Sequence, residues 1–321
     1  MNIPDVFFEE YWGILNAAND GGDYFQYVFE DENGIVLHPF VKRPTRLLPA
    51  TYDILSPTGF SGPIVIDCRE GRKEELIRNF DRGFQTYCET NGIVAEYVRF
   101  SPWLKNHQDF GSLYELKHHG YTYGIDLTKD YFNDEFNSSR RCRIARAENA
   151  GVKVGFDFSG ETIAEFYRLY QMMYAKNNPG DIEKRLMLSN DYMADMVRLC
   201  RGHMFIANAF IGRKTISSTV YLYSGKYLHS YLTGNDPEFY DFNANSVVIS
   251  KACEWGRKTG KVALQQGGAR NEGIAVFKKQ FTQKCILDFH VGYRVRQNAL
   301  YERLVAIRGE ANKAYFPAYR E

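Results

Sequence analysis

The sequence predicts a mixed α/β (α+β) protein of two domains, and three observations carry that expectation. The chain has 321 residues, where a typical domain takes about 150. Hydrophobic residues make up 44% and charged residues 25%. That is the balance of a globular chain long enough to bury a core without disulfide or metal staples. Both halves interleave strand-like and helix-like periodicities, with no internal repeat and no low-complexity run.

Taken in order, Asp5 to Asn19 reads as a helix. A hairpin follows, in which Tyr24 to Glu30 and Ile35 to Val41 flank the Asp-Glu-Asn-Gly turn at 31–34. The Pro- and Gly-punctuated run Tyr52 to Pro63 leads into a short strand, Ile64 to Asp67. Leu76, Phe80, Phe84 and Tyr87/Cys88 recur at helical spacing, so 72–90 is an amphipathic helix that Gly92 stops. Strands Ile93 to Phe100 and Tyr121 to Leu127 complete the first half, with His118-His119 as a surface turn beside Gly120. The polar segment Thr128 to Ala150 separates the halves and sets the expected domains at 1–135 and 136–321. It carries Arg140, Arg141, Arg143 and Arg146 on a short helix. Beyond it come a strand at 151–157, helices at 161–177 and 190–201, and strands His203 to Ile211, Thr215 to Tyr223 and Lys226 to Thr233. A polar loop, 234–244, precedes a helix at 245–258, a strand Lys261 to Gln266, a short helix at 273–281 and a strand at 285–293.

Charge and composition exclude several function classes. Forty Lys and Arg stand against 39 Asp and Glu, for a net charge of +1. No global field therefore draws the chain to DNA or membrane, and a polyanion site must be a local patch. No apolar run approaches the ~18 residues of a membrane span. The acidic first ten residues lack the pattern of a signal peptide. Six dispersed cysteines without a C-x-x-C pair read as reduced core thiols, and the seven histidines show no metal-ligand spacing. A cytoplasmic protein without a metal is expected.

The order of the second half (strand, two helices, three antiparallel strands, helix, strand, helix, strand) is that of a GNAT-type acyltransferase. Three stretches carry a more specific likeness: Tyr231-Leu-Thr-Gly-Asn-Asp236, the helix after it, and Gln266-Gly-Gly-Ala-Arg-Asn-Glu-Gly-Ile-Ala-Val-Phe-Lys-Lys-Gln-Phe281. Softer matches lie at Tyr52 to Pro63, Glu96 to Pro102 and Arg140 to Val154. These resemble the FemAB-like GNAT proteins, a group that includes the Fem peptidyltransferases and related N-acyltransferases of cell-envelope glycan loci. The resemblance implies two GNAT-like (acyl-CoA N-acyltransferase) domains in tandem around a central cleft. It also implies transfer of an acyl or aminoacyl group to an amine of a cell-envelope glycan, sugar-nucleotide or peptidoglycan precursor. The acyl donor is then aminoacyl-tRNA or acyl-CoA, with no tightly bound cofactor. The chain departs from the family at Glu272-Gly-Ile-Ala275 and at Ser101, and it lacks a coiled-coil arm.

Acyl transfer needs a neutral amine, a group facing the carbonyl's developing negative charge, and a hold on the donor's phosphates. Lys278, where the family keeps an aromatic followed by lysine, is expected to face the oxyanion or a donor phosphate. With 273–281 helical, Phe277 and Phe281 share a face toward the core, and Lys278 points a quarter-turn away. Glu96, an acid among valines in a strand, is expected to position or deprotonate the amine; an internal salt bridge, with Arg46 or near Arg99, is the alternative. His229 alternates with Tyr231 and Thr233 along one strand face and is the histidine placed for general-base work, a core histidine being the other reading. Arg143 and Arg146 are assigned to phosphate, as opposed to a solvated face. Arg99, Tyr231, Thr233 and Phe277 complete the substrate- and donor-binding set, together with Gly267 and Gly268, whose turn lets backbone approach a ligand. The loop Pro237 to Ser246 supplies a helix N-terminus capped by Asn245 or Ser246. It lacks the glycines that cradle a CoA pyrophosphate, and Glu238 and Asp241 would repel one. Two alternatives therefore accompany the main reading: an ordinary acetyl-CoA-dependent N-acetyltransferase, and a non-catalytic binding module with a degenerate GNAT fold.

Overall fold

A computed structural model describes residues 3–177, 187–282, 284–309 and 315–320. In chain order the elements are α1 (Glu10–Ala17), β1 (Asp23–Asp31), β2 (Gly34–Pro44), β3 (Tyr52–Leu55), β4 (Ile64–Cys68), α2 (Lys73–Thr90), β5 (Ile93–Arg99) and the single turn α3 (His107–Phe110). Next come β6 (Glu115–Asp126), the single turn α4 (Tyr131–Asp134), α5 (Ser138–Asn149), β7 (Lys153–Asp157), α6 (Ile163–Asn177) and α7 (Asn190–Leu199). The chain continues with β8 (Met204–Ile211), β9 (Lys214–Ser224), β10 (Tyr227–Asn235), α8 (Ala244–Lys258), β11 (Ala263–Gly268), α9 (Glu272–Lys279), β12 (Ile286–Val295) and α10 (Asn298–Arg308).

Two compact units result. One comprises Phe7–Gly120 with Asp288–Glu321, the other Tyr121–Leu287 with Pro4–Val6. The expected division at 135/136 thus differs from the packing at both ends. The reason for the C-terminal difference is strand pairing. Val291 to Val295 of β12 pair antiparallel with Arg99 to Ala95 of β5, which holds the C-terminal segment in the first unit.

In the first unit β2 is the hub, pairing antiparallel with β1, β3 and β4, while β3 pairs parallel with β5. The amphipathic α2 covers this sheet. Its buried stripe is Leu76, Ile77, Phe80, Phe84 and Cys88, and Tyr27 and Phe29 of β1 pack against the same cluster. Gly92 ends the helix at φ +65°, where a Cβ would stand 2.1 Å from the Ala50 carbonyl. Three readings of this half change, and one element is added. The first helix is shorter than Asp5 to Asn19, with a 3-10 turn at Val6–Phe8 ahead of α1. Tyr52–Leu55 is a strand, not mere punctuation, because β2 and β5 supply its ladder partners. His118 and His119 lie inside β6, with His118 3.1 Å from Asp288. Helix α10 follows the last expected strand.

The second unit has strand order β7-β8-β9-β10-β11-β6. All its neighbours are antiparallel except β10 and β11, which the crossover through α8 makes parallel. Helix α8 buries Val247, Val248, Ala252 and Cys253 in the core that also takes Phe281 and Leu264. Helix α5 is capped by Asn137, whose side chain accepts from the Arg140 amide at 2.8 Å. Helix α9 is capped by Asn271 in the same way, at Ile274. The N-terminus of α8 differs from the expectation: Asn243, at φ +52°, precedes the first turn, which contains Asn245 and Ser246. Among the described residues no helix is long and apolar enough to cross a membrane, and no group of three His, Cys, Asp or Glu could hold a metal ion.

Candidate active site

The site begins where two parallel strands part. Strands β10 and β11 pair only from Tyr227↔Ala263 to His229↔Gln265. Just beyond, β10 is bulged, and Tyr231 is the residue without a register partner on β9. Beyond the last pair opens a cavity of about 410 Å³, lined by Ser230 to Thr233 and Asn235 from β10, by Gln266, and by Ile274, Phe277 and Lys278 of α9. Tyr170, Met173 and Tyr174 of α6, Asn245 and Ile249 of α8, and the exposed Arg270 complete its wall.

Lys278 lies at the edge of this cavity. Its Nζ donates to the carbonyl of Gln266 and, at 2.5 Å, to that of Gly268. A lysine ammonium has three donors, so one N–H remains for a ligand. Burial pushes the Lys278 amine down to about 8. Lys279, one residue on, is exposed. Phe277 packs edge-on against Phe281 with ring centres 5.1 Å apart, which is the shared face expected of residues four apart on a helix. Gly267, at φ +70°, makes the turn that aims both carbonyls at Lys278.

Two further pockets lie in series beside the first. One of about 250 Å³ shares Asn235, Asn245 and Phe277 with the cavity and adds Arg140, Arg143 and the first residues of α8. Another, of about 370 Å³, shares Arg143 and Asn243 with the second and adds Arg146 and Asp241. The three pockets share walls in series, with arginines lining those at one end and Lys278 the cavity at the other. Tyr231 Oη is 2.6 Å from Tyr192 Oη, and Thr233 Oγ1 is 3.1 Å from Thr219 Oγ1, so both wall residues are anchored.

Three expected site residues lie elsewhere. Glu96 is 1% exposed in the first unit, where the Arg296 guanidinium, His38 and the Tyr114 hydroxyl all reach its carboxylate at 2.6 to 2.8 Å. Arg296 beside it holds the Glu96 carboxyl well below the usual carboxylate range. It is the internal salt bridge that the alternative named, with Arg296 in place of Arg46. Arg99, also in the first unit, donates from Nη2 to the Ser56 carbonyl at 2.5 Å. His229 is buried with Nε2 3.0 Å from Asp5 Oδ2. It lines none of these pockets, because the bulge at Tyr231 breaks the alternation that would have set it beside Thr233. Sequence reasoning in turn missed Tyr170, Tyr174, Asn235 and Arg270. Arg270 lies inside the Gln266-to-Phe281 stretch, so the motif itself was the signal for it.

Residues 135–279 match the family described as acetyltransferase (GNAT) domain. That stretch, somewhat less than half of the chain, is what is similar to a GNAT domain. No curated protein sequence matches the chain. Among solved structures, FemX superposes with TM-score 0.73 at 11% identity over 93% of this chain and 94% of its own. L-PGS from Bacillus licheniformis gives TM-score 0.53 at 14% identity over 93% and 90%. A putative lysylphosphatidylglycerol synthetase C-terminal domain from Agrobacterium fabrum gives 0.53 at 13% over 85% and 84%. At these identities the likeness is one of fold. The mixed α/β fold in two compact units, with the acetyltransferase match over residues 135–279, agrees with the fold class expected from the sequence.

Proposed function

We propose that this chain is an N-acyltransferase or aminoacyltransferase acting on an amine of a cell-envelope glycan, sugar-nucleotide or peptidoglycan precursor. The observation that carries the reading is the series of pockets in residues 135–279, with arginines at one end and, at the other, a lysine ammonium that has two of its three N–H groups engaged. The arginine end suits the phosphates of an activated donor. In the cavity the acceptor amine attacks the donor carbonyl, a C–N bond forms, and the carbonyl electrons move onto oxygen. The third N–H of Lys278 faces that oxyanion. Collapse expels the donor's thiolate or ribose oxygen, which takes up the proton the amine loses. No covalent enzyme intermediate is involved.

Aminoacyl-tRNA is the donor we favour. Asp241 lines the arginine pocket, and Glu238 stands near the α8 N-terminus in place of pyrophosphate-binding glycines. The acetyl-CoA reading draws on the family description of residues 135–279. Calorimetry with each donor, followed by mass spectrometry of amine acceptors, separates the readings. We expect saturable binding of aminoacyl-tRNA and an aminoacylated product. Tight acetyl-CoA binding with acetylated product would move the assignment to an N-acetyltransferase, and absence of transfer from either donor would support a binding module.

A further inference from the structure

Arg140 is a buried cation, only 2% exposed, with no carboxylate in ion-pair contact among the described residues. Its guanidinium instead lies against two aromatic faces, 4.8 Å from the ring centre of Phe277 and 4.7 Å from that of Phe281. Nη2 donates to Gln280 Oε1 and Nη1 to Ser246 Oγ, each at 2.5 Å. Phe277, Gln280 and Phe281 bracket Lys278 within one helical turn, and Ser246 belongs to the first turn of α8. The short helix α9 buries none of its own eight residues. Its seat therefore depends on what grips its C-terminal end: the buried Phe281 and this arginine. A planar fork that stacks and bonds in two directions is well suited to such a clamp.

We propose that Arg140 is the positioning residue for Lys278: it locks the end of α9 to the first turn of α8 and so holds the lysine ammonium at the strand splay. The proposal rests on the reading of Lys278 given above, but it can be tested without knowing the substrate. The probe is acetic anhydride, applied to the full-length protein across a pH series. Fragmentation mass spectrometry then reads acetylation of Lys278 and Lys279 separately. In the unaltered protein the Lys278 midpoint should lie near 8. Arg140→Met and Gln280→Ala should each raise it by about 1 pH unit or more toward the ~10.4 of a free lysine, as α9 loosens and water reaches the amine. Lys279 should not move. Arg140→Lys keeps the charge but loses the fork, and should behave like Arg140→Met. An unchanged midpoint in Gln280→Ala would overturn the proposal, even if Arg140→Met failed to fold. So would a normal midpoint in Arg140→Lys beside a raised one in Arg140→Met, since charge alone would then be acting. Full transfer activity in Lys278→Ala would instead defeat the functional reading and leave the clamp standing.

Discussion

At the scale of single residues, Lys278 and Lys279 form a controlled pair. They are adjacent in sequence, yet one is tied to two carbonyls at the cavity edge and the other is exposed. Lys278→Ala should lower transfer by roughly 100- to 1000-fold, the usual loss for one oxyanion donor. Lys279→Ala should stay near wild type, and both variants should keep their melting temperature. Transfer should also fall as pH rises through about 8, because the ammonium that faces the oxyanion is then lost. Equal turnover in the two variants would remove Lys278 from the chemistry. Its placement was legible because the Phe277–Phe281 spacing is local. Glu96 and His229 were not: their partners Arg296 and Asp5 lie 200 and 224 residues away in the chain. An acid in an apolar strand announces that it needs a partner, but not which one.

At the scale of elements, α5 shows how one charged helix divides its duties. Arg140 is buried between two rings, Arg141 donates to the Phe136 carbonyl, and Arg143 and Arg146 line the pockets. Replacing Arg143 and Arg146 together by alanine should weaken binding of a tRNA donor. It should also flatten the salt dependence of that binding by about 2 in the log–log slope, roughly one per lost phosphate contact. Titrations from low to moderate salt check this, and identical slopes would show that the two arginines are merely solvated. The cluster itself was visible in the sequence. Its division was not, because which side of a helix faces the core depends on what packs there. Strand β10 teaches the same lesson: period-2 alternation fails at a bulge, and nothing in Tyr227 to Asn235 announces one.

At the scale of the whole molecule, the first unit takes its last strand from the far end of the chain. A chain ending at Leu287 would lose the β5 partner segment of β12 and the Arg296 guanidinium. Leaving Glu96 buried without its cation costs about 3–5 kcal/mol, a large share of the 5–15 kcal/mol that stabilises an ordinary domain. Hydrogen exchange should therefore show protection lost across β2, β3 and β5 while β8 to β11 keep theirs. Full protection of β5 in the shortened chain would contradict this account.

The class of fold and nearly every strand and helix of the second unit were legible in the residues themselves, whereas the Gln266-to-Phe281 segment that carries Lys278 stood out through its family resemblance. The strands and helices rest on periodicity, capping and turn chemistry, which act within a dozen residues. Packing alone set Glu96 against Arg296, Arg99 against the Ser56 carbonyl, His229 against Asp5 and Arg140 between Phe277 and Phe281, and opened the cavity where β10 and β11 part. Each of these depends on groups brought together from distant parts of the chain. Local pattern can show that a polar side chain will be buried, but its partner is chosen by packing.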